Sequence, residues 1–184
     1  MNAIARSSSG RSARRRRRRL ERQAAGGDKP AGTPRGEGAR QVAALACVRT
    51  RGAIEVLLIS SRRRARWIIP KGWPHGRHSL AQSAAIEAFE EAGVDGPVHP
   101  DPIGQFNYVK QLDGARDIAC SVLVYPLLVL EHRLEWPEKS ERRLAWYEIG
   151  EAAALVDDEE LGLLLGQLAR RGDERLTRML GALA

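Results

Sequence analysis

The sequence predicts an α/β fold, a sandwich in which helices cover a mixed β-sheet. Three observations carry the prediction. Apolar runs of strand length, Val42–Val48 and Val122–Leu130 the longest, recur between turn residues. Leu80–Ala92 is built from helix formers with apolar residues at helical spacing, and three further helical stretches follow Ile149. Strands and helices interleaved in this order fit a layered α/β domain.

Taken in order, Gln41–Arg49 and Ile54–Ser60 read as strands joined by a turn at Thr50-Arg51-Gly52. Arg66–Ile69 is a short strand, and Pro70 to His78, with its Pro, Gly and His residues, is loop. Ser79 is a good N-cap, and Gln82 three residues on completes a capping box. Leu80, Ala81, Ala84, Ala85, Ala88, Phe89 and Ala92 then form an apolar stripe, and Gly93 suits the left-handed residue that ends a helix. Val98–Val109 and Ile118–Leu130 read as strands around a turn at Leu112-Asp113-Gly114, and Ala145–Ile149 as one more. Glu151–Val156, Glu159–Arg170 and Glu174–Ala182 read as helices, with Gly172 separating the last two.

The formal net charge of +7 over 184 residues is unevenly placed. Residues 1–40 hold eleven arginines and Lys29 against Glu21, Asp28 and Glu37, which makes this segment +9 and leaves residues 41–184 at −2. The division is therefore a tail over 1–40, expected to be disordered when free because it has little to bury, and one domain over 41–184. The unbroken run Arg14 to Arg19 admits three readings: an inert tail, a non-specific contact with nucleic acid or another polyanion, or a targeting segment. The tail has no aromatic residue to stack on bases, so nucleic-acid contact would be unspecific. No apolar run approaches the ~20 residues that span a bilayer, so no membrane partner is expected. Cys47 and Cys120 both lie in apolar strands, which points to reduced core thiols and a cytoplasmic location.

Glu87, Glu90 and Glu91 stand at i, i+3 and i+4 of the Leu80–Ala92 helix, on one face within a turn. Their repulsion weakens a helix by a few tenths of a kcal/mol per pair, unless a cation offsets it. A hard divalent ion such as Mg²⁺ takes oxygen ligands and bridges carboxylates to substrate phosphates. A solvated acidic face is the competing reading of the same spacing.

The loop before the helix bears on that choice. From Gly72 to Val94 the chain resembles the Nudix hydrolase signature, G-x5-E-x7-R-E-U-x-E-E-x-G-U with U apolar, through Gly72, Glu87, Glu90, Glu91, Gly93 and Val94. Two positions depart: His78 stands at the signature's first glutamate and Ile86 at its arginine. With Val56–Ser61 and Arg66–Gly72, the resemblance is to the branch containing diphosphoinositol polyphosphate phosphohydrolases and diadenosine polyphosphate hydrolases. It covers roughly Gln41 to Val156.

The resemblance implies a Nudix-type α/β/α sandwich and a Mg²⁺-dependent hydrolase, with Mn²⁺ as an alternative ion. Such an enzyme cleaves a pyrophosphate bond in a nucleoside diphosphate-linked, dinucleoside polyphosphate or inositol pyrophosphate substrate. It makes Glu87, Glu90 and Glu91 catalytic residues and metal ligands, joined by Gly72 as the backbone that approaches the metal and phosphates closely. Substrate phosphates need cations, and Arg62, Arg64, Lys71, Arg142 and Arg143 are the expected ones. Glu138 and Glu141 are candidates for a further carboxylate ligand. His78 is a candidate ligand for a softer ion, while His75 reads as loop. The two departures leave an alternative, a catalytically weakened Nudix-fold binding module for nucleotides or polyphosphates.

Overall fold

The computed structural model describes residues 39–50, 53–110, 117–170 and 174–184. Most of the Arg-rich tail, the turns expected at Arg51-Gly52 and Leu112-Asp113-Gly114, and the break at Gly172 lie outside the described residues.

The strands are β1 (Ala39–Thr50), β2 (Ala53–Ser60), β3 (Trp67–Ile68), β4 (Lys71–Gly72), β5 (Val94–Asp95), β6 (Gly104–Lys110), β7 (Ile118–Leu128), β8 (Glu131–His132) and β9 (Leu144–Glu148). The helices are α1 (Leu80–Ala92), α2 (Ile149–Leu155), α3 (Glu159–Arg170) and α4 (Glu174–Gly181), with a 3₁₀ turn at Lys139–Glu141. The main sheet runs β3-β2-β1-β7-β6, with β4 also paired to β1 and β9 to β2. The β1–β7 pairing is parallel and its neighbours are antiparallel, so the sheet is mixed, as the sequence predicts.

Both faces of the sheet are covered. On one side Leu45, Val56, Leu58, Phe106, Val122 and Val124 pack with Ile149 and Ala152 of α2, Leu161, Leu165 and Leu168 of α3 and Leu176 of α4. On the other, Val42, Ala44, Ala46, Leu57 and Ile59 meet Ala81, Ala84, Ala88 and Ala92 of α1. Burial on both faces explains why β1 and β2 read as continuous apolar runs instead of alternating ones.

The alanine stripe is what positions the site. Side chains of one carbon let α1 lie close against the sheet. Its glutamate-bearing flank is thereby brought against β4. Ser79 Oγ accepts from the Gln82 N–H at 3.1 Å, the Ser79 N–H donates to Gln82 Oε1 at 3.0 Å, and Gly93 closes the helix at φ 68°. The capping box and the left-handed glycine are therefore where the sequence puts them.

One expected strand is a correction. Val98–Val109 does not form a single strand; only Gly104–Lys110 does, while Val98 makes an isolated bridge to Leu127. Pro100 and Pro102 lie in the missing half, and each lacks the N–H a ladder needs. Two short pairings were not legible in sequence: β4 on β1, and the β5–β8 ribbon. Each spans two residues, too few to show a period.

Ala88 is fully buried against the sheet, so Ala88→Leu should overpack it. The expected loss is ~1–3 kcal/mol, read as a lower denaturant midpoint at unchanged slope. An unchanged midpoint would mean that α1 does not seat on its alanines as described.

Candidate active site

The site lies where the flank of α1 meets β4 and the loop that follows it. β4 holds Lys71 and Gly72 beside β1 through the pairs Ala43 to Lys71 and Val42 to Gly72. A Cβ on Gly72 would land inside the carboxylate of Glu87. Glycine lets the carboxylate lie in the space a side chain would fill, and a larger residue would displace it. The chain thus brings Gly72 and Glu87 into contact.

Glu91 is buried and tied on both oxygens. Oε2 accepts the Lys71 N–H at 3.0 Å, and Oε1 pairs closely with Arg142 Nη2. Glu87 is nearly as buried, and its Oε1 lies 3.2 Å from His75 Nε2. Glu90 is half-buried, and its carbonyl accepts the Glu138 N–H at 3.1 Å, which holds the segment before β9 against the end of α1.

This crowding of carboxylates has an electrostatic signature. Burial, then the charges of Glu91, Glu90 and Glu138, push the Glu87 carboxyl up to about 8. Burial raises Glu90 as well, partly countered by His75. It also raises Glu91, against the pull of Arg142 and the Lys71 N–H. The cluster is short of positive charge, and acidic groups in that condition favour a bound cation. The donor set fits one: among the described residues, His75, Glu87 and Glu90 each offer a ligand atom, all within 4.8 Å of one another.

The cations expected to meet substrate fall into two groups. Arg142 is almost fully buried, at 3% side-chain exposure. Its Nε donates to Glu138 Oε2 at 2.9 Å, its Nη1 to the Ser60 carbonyl at 3.1 Å, and its Nη2 pairs with Glu91. A guanidinium so engaged is a clamp on two carboxylates and has no free edge to offer a phosphate. The other four are exposed or in contact with an aromatic ring. Arg62 is exposed and pairs with Glu138 at 3.3 Å and Glu141 at 3.5 Å. Arg64 is exposed. The Arg143 guanidinium lies 5.8 Å from the centre of the Trp67 ring. Lys71 Nζ donates to the Tyr108 hydroxyl at 3.1 Å, which donates on to Gln41 Oε1 at 2.6 Å. Burial lowers the Lys71 amine, against a raising pull from Glu91.

Sequence reasoning missed His75 as part of the cluster and Arg142 as a clamp. His75 sits in a loop without periodicity, and only the folded path from Pro74 back to Ser83 brings its ring to Glu87. The clamp has a faint sequence signal: Glu138 and Arg142 are four apart, a spacing at which opposite charges meet. Trp67 packs edge-on to Tyr147 at 5.9 Å and belongs to the core margin, while the Trp73 ring carries Lys110 Nζ at 4.9 Å. The His78 N–H donates to the His75 carbonyl at 2.8 Å, and the rings of the two histidines lie 6.5 Å apart. Ile86 is half-buried on α1.

No protein-family model matches the chain. Over 129 residues it is 31% identical to Nudix hydrolase 12, mitochondrial, of Arabidopsis thaliana, a match covering 68% of this chain and 64% of that protein. The chain thus spans less than two thirds of that relative's length. Over 123 residues it is 33% identical to diphosphoinositol polyphosphate phosphohydrolase 3-beta of Bos taurus, covering 65% of this chain and 71% of that protein. In structure it is similar to an Ap4A hydrolase of C. elegans at a TM-score of 0.53 and 20% identity, covering 73% of this chain and 98% of the other. That likeness bears on the fold.

Two outcomes follow from this geometry. Arg142→Ala leaves Glu91 buried without its partner and should lower stability by roughly 3–5 kcal/mol in denaturant unfolding. Arg142→Lys should recover only part, since a single ammonium cannot reach Glu91, Glu138 and Ser60 together. The second concerns pH in the absence of metal. Glu87 has a folded value of about 8 against 4.5 unfolded, so its contribution is fully present below 4.5 and lost as pH rises to 8. The melting temperature of metal-free protein should therefore fall across pH 5–8, and Glu87→Gln should flatten that slope. A slope unchanged by the substitution would contradict the assignment.

Proposed function

The chain belongs to the Nudix hydrolase family, and from that premise we propose that it is a divalent-metal-dependent pyrophosphohydrolase. The observation that carries the reading is the clustering of Glu87 against Gly72, of Glu91 on the Lys71 N–H, and of Glu90 beside Glu87. We assign Glu87, Glu90 and Glu91 as the carboxylates that hold the ion, Mg²⁺ or Mn²⁺. An ion bound there supplies charge neutralisation on the phosphoryl oxygens and a water of lowered pKa.

The chain's own residues supply the rest. Gly72 leaves room for the Glu87 carboxylate to lie against the backbone. Glu91, fixed by the Lys71 N–H and Arg142, holds its orientation through the reaction, and the attacking water's proton passes to a carboxylate of this cluster. Lys71, Arg62, Arg64 and Arg143 provide positive charge around the cleft, which favours a densely anionic substrate. We accordingly assign the substrate class as dinucleoside polyphosphates or inositol pyrophosphates. The relatives named for diphosphoinositol polyphosphates and Ap4A support that class.

Arg142 bears on the alternative of a weakened binding module. Ile86 cannot donate to a carboxylate, yet Glu91 and Glu138 do have a guanidinium between them, brought from the segment before β9. Orientation of Glu91 therefore survives the departure from the signature, which supports turnover over binding alone.

For location, the buried thiols fit a reducing compartment, and we propose the cytoplasm. Among the described residues no helix is long and apolar enough to cross a membrane. A contact between the Arg-rich tail and a polyanion remains part of the proposal, with strong salt dependence its mark.

The test is hydrolysis of a panel of diadenosine polyphosphates, inositol pyrophosphates, nucleotide sugars, ADP-ribose and nucleoside triphosphates, with Mg²⁺ or Mn²⁺. Turnover on the densely charged members should fall by about 10³-fold or more in Glu90→Gln. No turnover on any compound with either ion would overturn the reading and leave the binding module.

A further inference from the structure

We propose that His75 is a nitrogen ligand of the metal centre, and that this ligand shifts the centre's preference from Mg²⁺ toward transition ions, Mn²⁺ being the probe. The inference rests on the pyrophosphohydrolase reading and adds a ligand which that reading does not require.

The donor spacing is the first support. Donors in adjacent positions around an ion at ~2.1–2.2 Å lie about 3 Å apart. His75 Nε2 and Glu87 Oε1 are 3.2 Å apart, and a Glu90 oxygen completes a set whose members all lie within 4.8 Å. An imidazole and two carboxylates are already gathered at ligand distance.

The second support is how His75 is held. Its N–H donates to Ser83 Oγ at 3.0 Å, and its carbonyl accepts the His78 N–H at 2.8 Å. Ser83 Oγ in turn donates to the Ser79 carbonyl at 3.0 Å. The loop is therefore fastened to the first turns of α1, one turn before Glu87. The buried Ser83 hydroxyl has no role in the carboxylate cluster itself; it fixes the backbone that carries the imidazole.

The third support is the state of Glu91. Both of its oxygens already accept from protein donors, one from the Lys71 N–H and one from Arg142. Its carboxylate is drawn toward β4 and the clamp, whereas the donor atoms of His75, Glu87 and Glu90 converge on one another. Imidazole added beside the carboxylate oxygens changes the selectivity. Mg²⁺ favours an all-oxygen shell and dehydrates reluctantly, whereas imidazole suits Co²⁺ and Zn²⁺ best and is tolerated by Mn²⁺, which is otherwise a hard ion.

The experiment uses the full chain with any histidine tag removed, since a tag would itself supply imidazole. Mn²⁺ is titrated by electron paramagnetic resonance, and pulsed measurements on the loaded protein report nitrogen coordinated to the ion. Wild type should show the coupling of one directly bound imidazole. His75→Ala and His75→Asn should lose it and bind Mn²⁺ about 10–100-fold more weakly. Mg²⁺ affinity, read by competition, should change less than about threefold, so that the preference for Mn²⁺ collapses. Circular dichroism on both variants confirms that the change at this half-buried loop residue leaves the fold intact. Mn²⁺ bound without nitrogen coupling in wild type, or Mn²⁺ and Mg²⁺ affinities falling in parallel in the variants, overturns the role of His75 and leaves the hydrolase reading standing. No saturable binding of either ion overturns both.

Discussion

The site depends on the burial of carboxylates within one turn of α1. Taking a carboxylate out of water is unfavourable unless donors or cations replace the lost hydration. Glu91 has such replacements, a backbone N–H and a guanidinium, and is accordingly fixed. Glu87 has little beyond a histidine ring, and its carboxyl rises to about 8. The contrast between a carboxylate held by a backbone N–H and a guanidinium and a neighbour held by one imidazole is what gives the site its demand for a cation.

That contrast is set by packing some distance from the chemistry. Ala81, Ala84, Ala88 and Ala92 let α1 lie close on β1 and β2, and the closeness brings the Glu87 carboxylate onto Gly72. A larger residue at either contact would move the glutamates out toward solvent, where they would be an ordinary charged face. The segment before β9 closes the arrangement from the other side. Glu138 donates its N–H to the Glu90 carbonyl, and Arg142 reaches between Glu138 and Glu91 to the Ser60 carbonyl. Residues about fifty positions apart in sequence thus share one charge network. A guanidinium has been retained beside Glu91 although Ile86 occupies the position where the family signature has arginine.

Much of this was legible in the sequence because the signals were local. Leu80–Ala92, its capping box and its terminal Gly93 follow from short-range rules, and so do the paired apolar strands and the helix Glu159–Arg170. Glu87, Glu90 and Glu91 share a face because helical spacing requires it. What was not legible depends on contacts distant in sequence. The parallel pairing of β1 with β7 has no local mark, nor does the return of the Pro74–His78 loop onto Ser83 that delivers His75. Arg142 looked like a cation for substrate because its composition and position allow that. Only its burial between two carboxylates gives it the other part. The extended strand expected from Val98 failed where two prolines removed ladder donors, a local signal outweighed by the apolar pattern around it.

The central claim is that the crowded carboxylate cluster around Glu87, whose carboxyl burial and neighbouring charges push up to about 8, takes up a divalent ion. The most direct measurement is proton release: adding Mn²⁺ to the metal-free protein at pH 7 in weak buffer and recording the base needed to hold pH constant. The account predicts release of about one proton per ion bound, because the ligand must ionise to coordinate. Saturable binding with no proton release in wild type, or the same release from Glu87→Gln, would contradict it.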